Sequence, residues 1–228
     1  MHLPRPAVSG VRQLSILVSG GVDSAVLLAH QARNGWIVHP IYVRFGLSWE
    51  STEEAHLRRF LGALPPELET RPLVVLDLPI ADVYDAHWSV SGTDVPDGTT
   101  SDSAVYLPGR NLLLLSKASV WCVLNGVETI ALGTLKGNPF ADSTPDFFAR
   151  FGALIECGLE RKLSVLTPLS DMTKSEVLEL GRHLALQHTF SCIAPVDGRH
   201  CGRCNKCAER REGFAGAGMP DPTPYAAA

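Results

Sequence analysis

Five short apolar runs alternate with helical patterns along most of the chain, and this alternation constrains the fold more than any other feature. The runs are rich in β-branched residues and lie at 14–18, 36–43, 72–78, 128–133 and 163–169. The helical patterns lie between and after them, at about 23–34, 51–63, 109–125, 144–158 and 173–185. Because the runs are apolar on both faces, they are typical of a parallel sheet covered by helices on both sides. The sequence therefore predicts a doubly wound, Rossmann-like α/β fold with a parallel five-stranded sheet.

The sequence SGGVDS, at 19–24, lies between the first predicted strand and the first predicted helix. Two adjacent glycines permit a tight turn in which main-chain N–H groups converge, and the dipole of the following helix also favours negative charge. The hexapeptide matches neither GxxxxGK[ST] nor GxGxxG. In a doubly wound sheet, ligands bind beyond the carboxyl ends of the strands, where this turn lies. We therefore predict an anion site formed by Ser19, Gly20, Gly21, Val22, Asp23 and Ser24.

Lys174 and Arg110 each stand at the start of a predicted helix, where a cation opposes the positive end of the helix dipole. A phosphate bound at such a helix end would reverse the sign of this interaction, so both residues are candidate phosphate ligands. Solvated side chains are the alternative. Asp23 is a candidate ligand of a Mg²⁺ ion that bridges phosphates, or a helix cap. Local sequence supports three of the predicted helix starts, at Ser51…Glu54, Thr144-Pro145 and Thr173…Glu176.

Four cysteines near the end of the chain have the spacing C-x8-C-x2-C-x2-C. Two-residue spacing lets successive thiolates face one cation, and four thiolates complete a closed tetrahedral zinc site, so a bound zinc ion would be structural. Free cysteines are the alternative. We predict a small zinc-binding segment at 187–228 beside a nucleotide-binding domain at 12–186, and core positions for Cys122 and Cys157. The predicted metal ligands are Cys192, Cys201, Cys204 and Cys207.

The composition excludes several classes of protein. A formal net charge of −4 in 228 residues argues against broad electrostatic binding to nucleic acid. No apolar run approaches the roughly 18 residues of a membrane span, and the first residues lack a signal-peptide pattern. We therefore expect a cytoplasmic protein. The polar stretch 86–107 predicts a substrate-side loop, and the ends of the chain, 1–11 and 218–228, are predicted to be frayed.

The order of motifs resembles one known family over about residues 14–225. After SGGVDS come PGRN at 108–111, DSTPDFF at 142–148, TKSEV at 173–177 and the cysteine tail CGRCNKCAERREGF. This order resembles the 7-cyano-7-deazaguanine synthase family of PP-loop ATP pyrophosphatases. The resemblance implies an ATP-dependent ligase that adenylates 7-carboxy-7-deazaguanine and converts it with ammonia into the nitrile, releasing AMP and pyrophosphate. It also implies Mg²⁺, structural zinc, a homodimer and a place in queuosine biosynthesis.

The same resemblance implies roles for individual residues. Asp23, Arg110 and Lys174 would act at the phosphates as catalytic residues, and Val43 and Arg44 would line the nucleotide side. Trp49, Trp88 and Phe140 are candidates to stack on a flat base, although such residues also build cores.

Two segments depart from the pattern of the family. YVRFGLSWE, at 42–50, stands where the family typically has an acid or amide and a Gly-Gln pair. TLKGNPFADSTP, at 134–145, lacks an acidic residue near Lys136 and has DSTP in place of an Asp-Cys-Arg run. The departures leave two alternatives. One is a related PP-loop enzyme that forms an amide or conjugate from another carboxylate, or modifies a tRNA base. The other is a non-catalytic zinc-knuckle binding module.

Overall fold

The computed structural model describes residues 12–226, and its five strands form one sheet. The strands are β1 Gln13–Leu17, β2 Ile37–Arg44, β3 Val74–Asp77, β4 Thr129–Ala131 and β5 Ser164–Leu166. Their order is β3-β2-β1-β4-β5, and every neighbouring pair is parallel. The predicted parallel five-stranded α/β sheet is confirmed. The chain reverses its winding between β1 and β4, so a ligand crevice is expected beyond the carboxyl ends of these two strands.

Eight α-helices in residues 12–226 surround the sheet, and five of them correspond to the predicted helices. The helices are α1 Val22–Arg33, α2 Glu50–Gly62, α3 Ala81–Tyr84, α4 Trp88–Ser91, α5 Arg110–Leu124, α6 Pro145–Leu159, α7 Lys174–Leu180 and α8 Asn205–Gly216. Helix α8 was not predicted. Helix α7 is shorter than predicted: it ends at Leu180 with Gly181 as its C-cap, and Gly181 packs against α1, where a Cβ would lie 2.3 Å from Val26 Cγ2.

Local signals define two of the helix starts as predicted. Thr144 accepts a hydrogen bond from the Phe147 amide at 3.2 Å, and Thr173 forms a capping box with Glu176. The predicted capping box Ser51…Glu54 is wrong because α2 begins at Glu50, which places Ser51 inside the helix.

The core lies on both faces of the sheet. One cluster joins β1 to α1, α2 and α7 through fully buried residues such as Ile16 and Leu27. The other covers the opposite face with α5 and α6 and includes the four cysteines of the tail. The C-terminal part of the chain therefore packs into the main core.

The last described residues are held in place, so the predicted fraying of 218–228 is wrong for 218–226. The Tyr225 hydroxyl donates to Asp221 at 2.6 Å, and Arg210 donates to the Thr223 hydroxyl at 2.6 Å. The predicted frayed segment 1–11 and the last two residues lie outside the described residues. None of the helices within residues 12–226 is long and apolar enough to cross a bilayer.

Candidate active site and metal centre

A cavity of about 320 Å³ opens beyond the carboxyl ends of β1, β2 and β4. Its wall comes from the SGGVDS turn, from the start of four helices and from α8. The residues that carry polar side chains or amides into it include Ser19, Gly21, Asp23, Ser24, Tyr42, Glu53, Arg110, Asn111, Thr134, Asp142, Lys174, Lys206 and Glu209. The crevice that the strand order implies is therefore present.

The SGGVDS turn is fixed by glycine geometry and by its serines. Gly20 has φ +75°, and a Cβ there would lie 3.1 Å from the Glu53 carbonyl oxygen, so a larger residue is strained and crowded. The Ser24 hydroxyl accepts a hydrogen bond from the Ser19 amide and donates to the Gly21 carbonyl, both at 3.2 Å. Gly133 after β4 lets the chain pass close behind the turn, because a Cβ there would lie 3.1 Å from the Asp23 carbonyl carbon.

Asp23 and Lys174 form an ion pair at the centre of the cavity wall. The Lys174 ammonium lies 2.8 and 2.7 Å from the two carboxylate oxygens of Asp23, and 3.3 Å from Glu209. Burial lowers the pKa of Lys174, but the charges of Asp23 and Glu209 outweigh it and raise the pKa above its usual value. The lysine therefore remains a cation. Asp23 does not cap α1, whose N-cap is Gly21 without a side-chain hydrogen bond.

Two buried donors in the wall lack protein partners among residues 12–226. Arg110 Nε and Thr134 Oγ1 are both buried without a hydrogen bond. A buried polar group without a partner costs about 1–3 kcal/mol, so the cavity favours a ligand that accepts hydrogen bonds. Arg110, at the first position of α5, thus lies where the sequence predicted.

Val43 and Arg44 have different environments. Val43 lines the cavity, whereas the structure does not bring Arg44 to its wall. The Arg44 side chain is 41% exposed and binds Glu54 at 2.7 Å and Asp77 at 3.5 Å. Neighbouring residues of a strand point to opposite sides, which accounts for the difference. Lys136 also lies outside the cavity wall.

Aromatic rings line part of the cavity. Tyr106 and Phe140 stack with ring centroids 5.0 Å apart, and both line the wall. Trp49 is buried in the wall and stacks on Trp88, which does not reach the cavity. Phe140 and Trp49 are therefore placed to contact a flat ligand. Tyr106, which sequence analysis missed, belongs to the end of the 86–107 loop.

The four cysteines of the tail form one cluster. Their sulfur atoms all lie within 4.8 Å of one another, and all four residues are buried. Amide groups donate to the sulfurs of Cys192 and Cys201 at 3.3–3.4 Å. A closed, buried set of four sulfurs can hold a metal ion. Cys122 is a core residue as predicted, and burial raises its pKa to about 12. Cys157 is exposed on α6, so its predicted core position is wrong.

The cysteine cluster and the cavity share helix α8. Cys204 is its N-cap and Cys207 lies in its first turn, while Lys206 and Glu209 line the cavity. A Cβ on Gly213 would lie 2.6 Å from Lys174 Cγ, so α8 packs directly on the catalytic lysine candidate. The 86–107 loop adjoins the same segment, since the Gly98 amide donates to the Arg203 carbonyl at 2.9 Å.

Glu53 is a cavity residue that the sequence did not indicate. It is only 8% exposed, and the Tyr42 hydroxyl donates to its Oε2 at 2.8 Å. Burial raises the pKa of Glu53 to about 7, although the Arg110 charge and the Tyr42 hydrogen bond act in the opposite direction. Nothing in the local pattern distinguishes it from Glu54, because both lie on the same predicted helix.

The strand order, the glycine turn after β1 and the cavity beside it define an α/β fold of the PP-loop type. A solved 4-thiouridine synthetase, in complex with RNA and with bound ATP, has a similar fold. Its TM-score is 0.51 at 16% identity, covering 94% of this chain and 47% of that one.

Sequence comparison then gives the family. The family model of the queuosine biosynthesis protein QueC matches residues 13–218, from β1 through α8. The 7-cyano-7-deazaguanine synthase of Saccharophagus degradans is 34% identical, over 92% of this chain and 96% of that protein. The synthase of Cupriavidus pinatubonensis is 32% identical over the same shares. The chain belongs to the QueC family.

Proposed function

We propose that this chain adenylates the carboxylate of 7-carboxy-7-deazaguanine with ATP and converts it with ammonia into 7-cyano-7-deazaguanine. Membership of the QueC family supports the substrate and product, since its curated relatives are named for that nitrile. The observation that carries the proposal is the cavity lined by the SGGVDS turn, Lys174 and Arg110, in which Lys174 pairs with Asp23 of the turn.

The first step makes the carboxylate reactive. A carboxylate is a poor electrophile because oxide would be its leaving group. Its oxygen attacks the α-phosphorus of ATP, and the bond to the β-phosphate oxygen breaks, so pyrophosphate leaves and an acyl-adenylate forms. Residues 19–24 would hold the pyrophosphate, and Lys174 and Arg110 would offset the charge that develops on it. Catalysis here is positioning and charge stabilisation.

The later steps replace oxygen by nitrogen. Ammonia attacks the acyl carbon, AMP leaves with the bonding electrons, and an amide forms. Adenylation of the amide oxygen and a second loss of AMP, with two protons leaving the nitrogen, give the nitrile.

Two metal ions belong to the proposal. Asp23 would hold Mg²⁺, which supplies charge neutralisation at the phosphates, and carboxylate oxygen is a suitable ligand. Because Lys174 occupies both oxygens of Asp23, the ammonium would turn towards the phosphates. The four tail cysteines would hold Zn²⁺, and the closed sulfur set fits a structural ion without an open position.

We also propose a domain organisation, a cellular location and an oligomeric state for the enzyme. Residues 12–186 would form the nucleotide-binding part and 187–228 the zinc-binding part of one site. The enzyme would act in the cytoplasm as a homodimer and without stable binding of nucleic acid, in line with its family and a net charge of −4.

The test is product analysis with purified protein. With 7-carboxy-7-deazaguanine, ammonium, ATP and Mg²⁺, we expect AMP, pyrophosphate and the nitrile by mass spectrometry. The matched control omits the carboxylate and should release no pyrophosphate. ADP and free phosphate as products would contradict the PP-loop chemistry.

A second candidate is a related ligase that stops at an amide or conjugate, or uses another carboxylate. The stretch 138–143 departs from the family pattern and contributes Asn138, Phe140 and Asp142 to the cavity wall, which favours this alternative. An amide that accumulates without nitrile would support it. A non-catalytic module is disfavoured because the Asp23–Lys174 pair is intact.

A further inference from the structure

Glu53 is a buried carboxyl in the cavity wall that the adenylation step does not use. It lies in the first turn of α2, 8% exposed, and lines the cavity. The neighbouring acidic residues of α2 are held by other groups. The Glu50 carboxylate accepts hydrogen bonds from the amides of Phe45 and Gly46 at 2.5 and 3.0 Å. The Glu54 carboxylate binds Arg44 and Arg58, each at 2.7 Å, outside the cavity.

The groups that face Glu53 come from four parts of the fold. Tyr42 on β2 donates its hydroxyl to Oε2, and Gly20 of the loop packs against the side chain. Glu50 and the Trp49 side chain lie beside it on and before α2. Arg110 on α5 acts through its charge, without a hydrogen bond to the carboxyl among the described residues. A buried carboxylate without a paired cation is costly, so its site favours a ligand that brings positive charge.

The wall around Glu53 is suited to a small ammonium cation. Tyr42, Phe45 and Trp49 line the same cavity as Glu53. Aromatic faces attract cations through their quadrupoles, and a carboxylate supplies the charge and the hydrogen-bond acceptor. Phosphate groups would be repelled by Glu50 and Glu53. Of the reactants in the proposed reaction, ammonium is the one that brings positive charge to the Glu53 carboxylate.

We propose that Glu53 binds the ammonium nucleophile and accepts its proton; this inference rests on the proposed function. The Glu53 carboxylate takes one proton from NH₄⁺ and becomes a carboxylic acid, which leaves NH₃ with a free electron pair. That pair forms the bond to the acyl carbon of the adenylate. The bond from carbon to the AMP phosphate oxygen breaks, and its electrons leave with AMP. The nitrogen then loses a second proton to the departing phosphate, and Glu53 returns its proton to solvent.

The environment of Glu53 suits such proton transfer. A general base is most effective when its pKa lies near the working pH. Burial raises the pKa of Glu53 to about 7, whereas an exposed glutamate would be too weak a base. The Tyr42 hydroxyl and Arg110 keep a fraction of it ionised at neutral pH by favouring the carboxylate.

The experiment separates two half-reactions in Glu53→Gln and in its matched control, Glu54→Gln. The first is carboxylate-dependent exchange of pyrophosphate into ATP without ammonium, and the second is product formation as ammonium and pH are varied. We expect Glu53→Gln to retain exchange but to lose product formation by about 10²–10⁴-fold. Its residual rate should rise with pH along with the concentration of free ammonia. Glu54→Gln should match the wild type in both measurements.

A second variant keeps the carboxyl and changes its pKa. Tyr42→Phe removes a hydrogen bond that favours the carboxylate, so the acidic limb of the pH–rate profile should move to higher pH.

Equal losses of exchange and product formation in Glu53→Gln would overturn the inference, because Glu53 would then belong to the nucleotide site. If the rate of product formation by Glu53→Gln depended on ammonium and pH as in the wild type, the inference would be overturned as well. Failure of exchange in the wild type with any carboxylate would overturn the proposed function and this inference together.

Discussion

Lys174 pairs with two carboxylates in the wall of the cavity. It bonds both oxygens of Asp23 and also reaches Glu209, which is held in turn by Lys206. The two carboxylates raise the pKa of Lys174, so its charge is constant over the pH range in which the enzyme would act. In the proposed reaction, a permanent cation at this position would stabilise the charge that develops on the leaving pyrophosphate.

Lys174→Ala should therefore slow ATP cleavage while leaving the fold intact. Removing one preorganised charge-stabilising group typically costs about 10²–10³-fold in rate. Carboxylate-dependent release of pyrophosphate is the measurement, with circular dichroism to verify folding. Lys136→Ala is the matched control, since Lys136 lies outside the cavity wall, and it should retain activity. A folded Lys174→Ala protein with wild-type turnover would contradict this role.

Glu53 makes a prediction about stability as well. Its folded-state pKa is raised, to about 7, so the folded protein keeps a proton that the unfolded chain has already released. Stability that is present at about pH 4 is therefore lost as the pH rises to about 7. Glutamine does not titrate, so Glu53→Gln should not lose stability in this way. The free energy of unfolding of Glu53→Gln, relative to that of the wild type, should therefore increase between these pH values by up to about 3 kcal/mol. Urea denaturation at several pH values measures it, and a constant difference would contradict the pKa assignment.

Helices α7 and α8 meet at glycines, and this contact links the cysteine cluster to the wall of the cavity. A Cβ on Gly213 would overlap the Lys174 stem, and a Cβ on Gly216 would lie 2.8 Å from Ser175 Oγ. The absence of side chains at these two positions lets α8 approach closely enough for Glu209 to reach Lys174.

Gly213→Ala should lower the rate of ATP cleavage without loss of the metal. The added methyl group would meet Lys174 Cγ at 2.6 Å and displace the ammonium from Asp23. Gly62→Ala in α2 is the control, because a Cβ there meets nothing within 4 Å and alanine favours helix by about 1 kcal/mol. Turnover and metal content are measured on both purified variants. Turnover should fall in Gly213→Ala alone, and both variants should keep the metal. Equal activity in both would show that the contact tolerates the methyl group.

The elements that follow from local pattern could be predicted from the sequence, and those that depend on distant partners could not. Strand β1 and helix α1 each carry a continuous apolar pattern, and both lie where predicted. Helix α8 lacks such a pattern, because NKCAERREGFAG is mostly polar and contains two glycines. Its helical structure depends on the cysteine cluster and on packing against α7.

The same distinction applies to the site. The SGGVDS turn and the cysteine spacing are local, and the structure brings each set together as expected. Glu53 and Glu209 were missed because their environments come from residues far away in the chain, such as Arg110 and Lys174. Arg44 was expected at the nucleotide, but the direction of a side chain at the end of a strand depends on the partners it finds, here Glu54 and Asp77.

At the scale of the whole molecule, the cysteine cluster is part of the core rather than an appendage. Cys192 and Cys207 belong to the same buried cluster as residues of β1 and α5. The free energy of metal binding at such a site is also free energy of folding.

Cys204→Ser should therefore lose its metal and melt at a lower temperature. Elemental analysis and thermal denaturation are the measurements, and zinc is the expected metal in the wild type. Activity should fall together with the folded fraction. Cys157→Ser, which changes the exposed cysteine of α6, is the control and should keep both metal and stability. A well-folded wild type without zinc would contradict the assignment.

The ion pair of Asp23 and Lys174 joins residues 151 positions apart, and Glu209 extends the same network into α8. A fragment that contains the SGGVDS turn but stops before α7 would lack the lysine that pairs with Asp23. The charges around the turn therefore come together only when α1, α7 and α8 have packed against one another. Splitting the chain between α6 and α7 would separate the turn from its ion pair, and only reassociation of the two fragments would restore it.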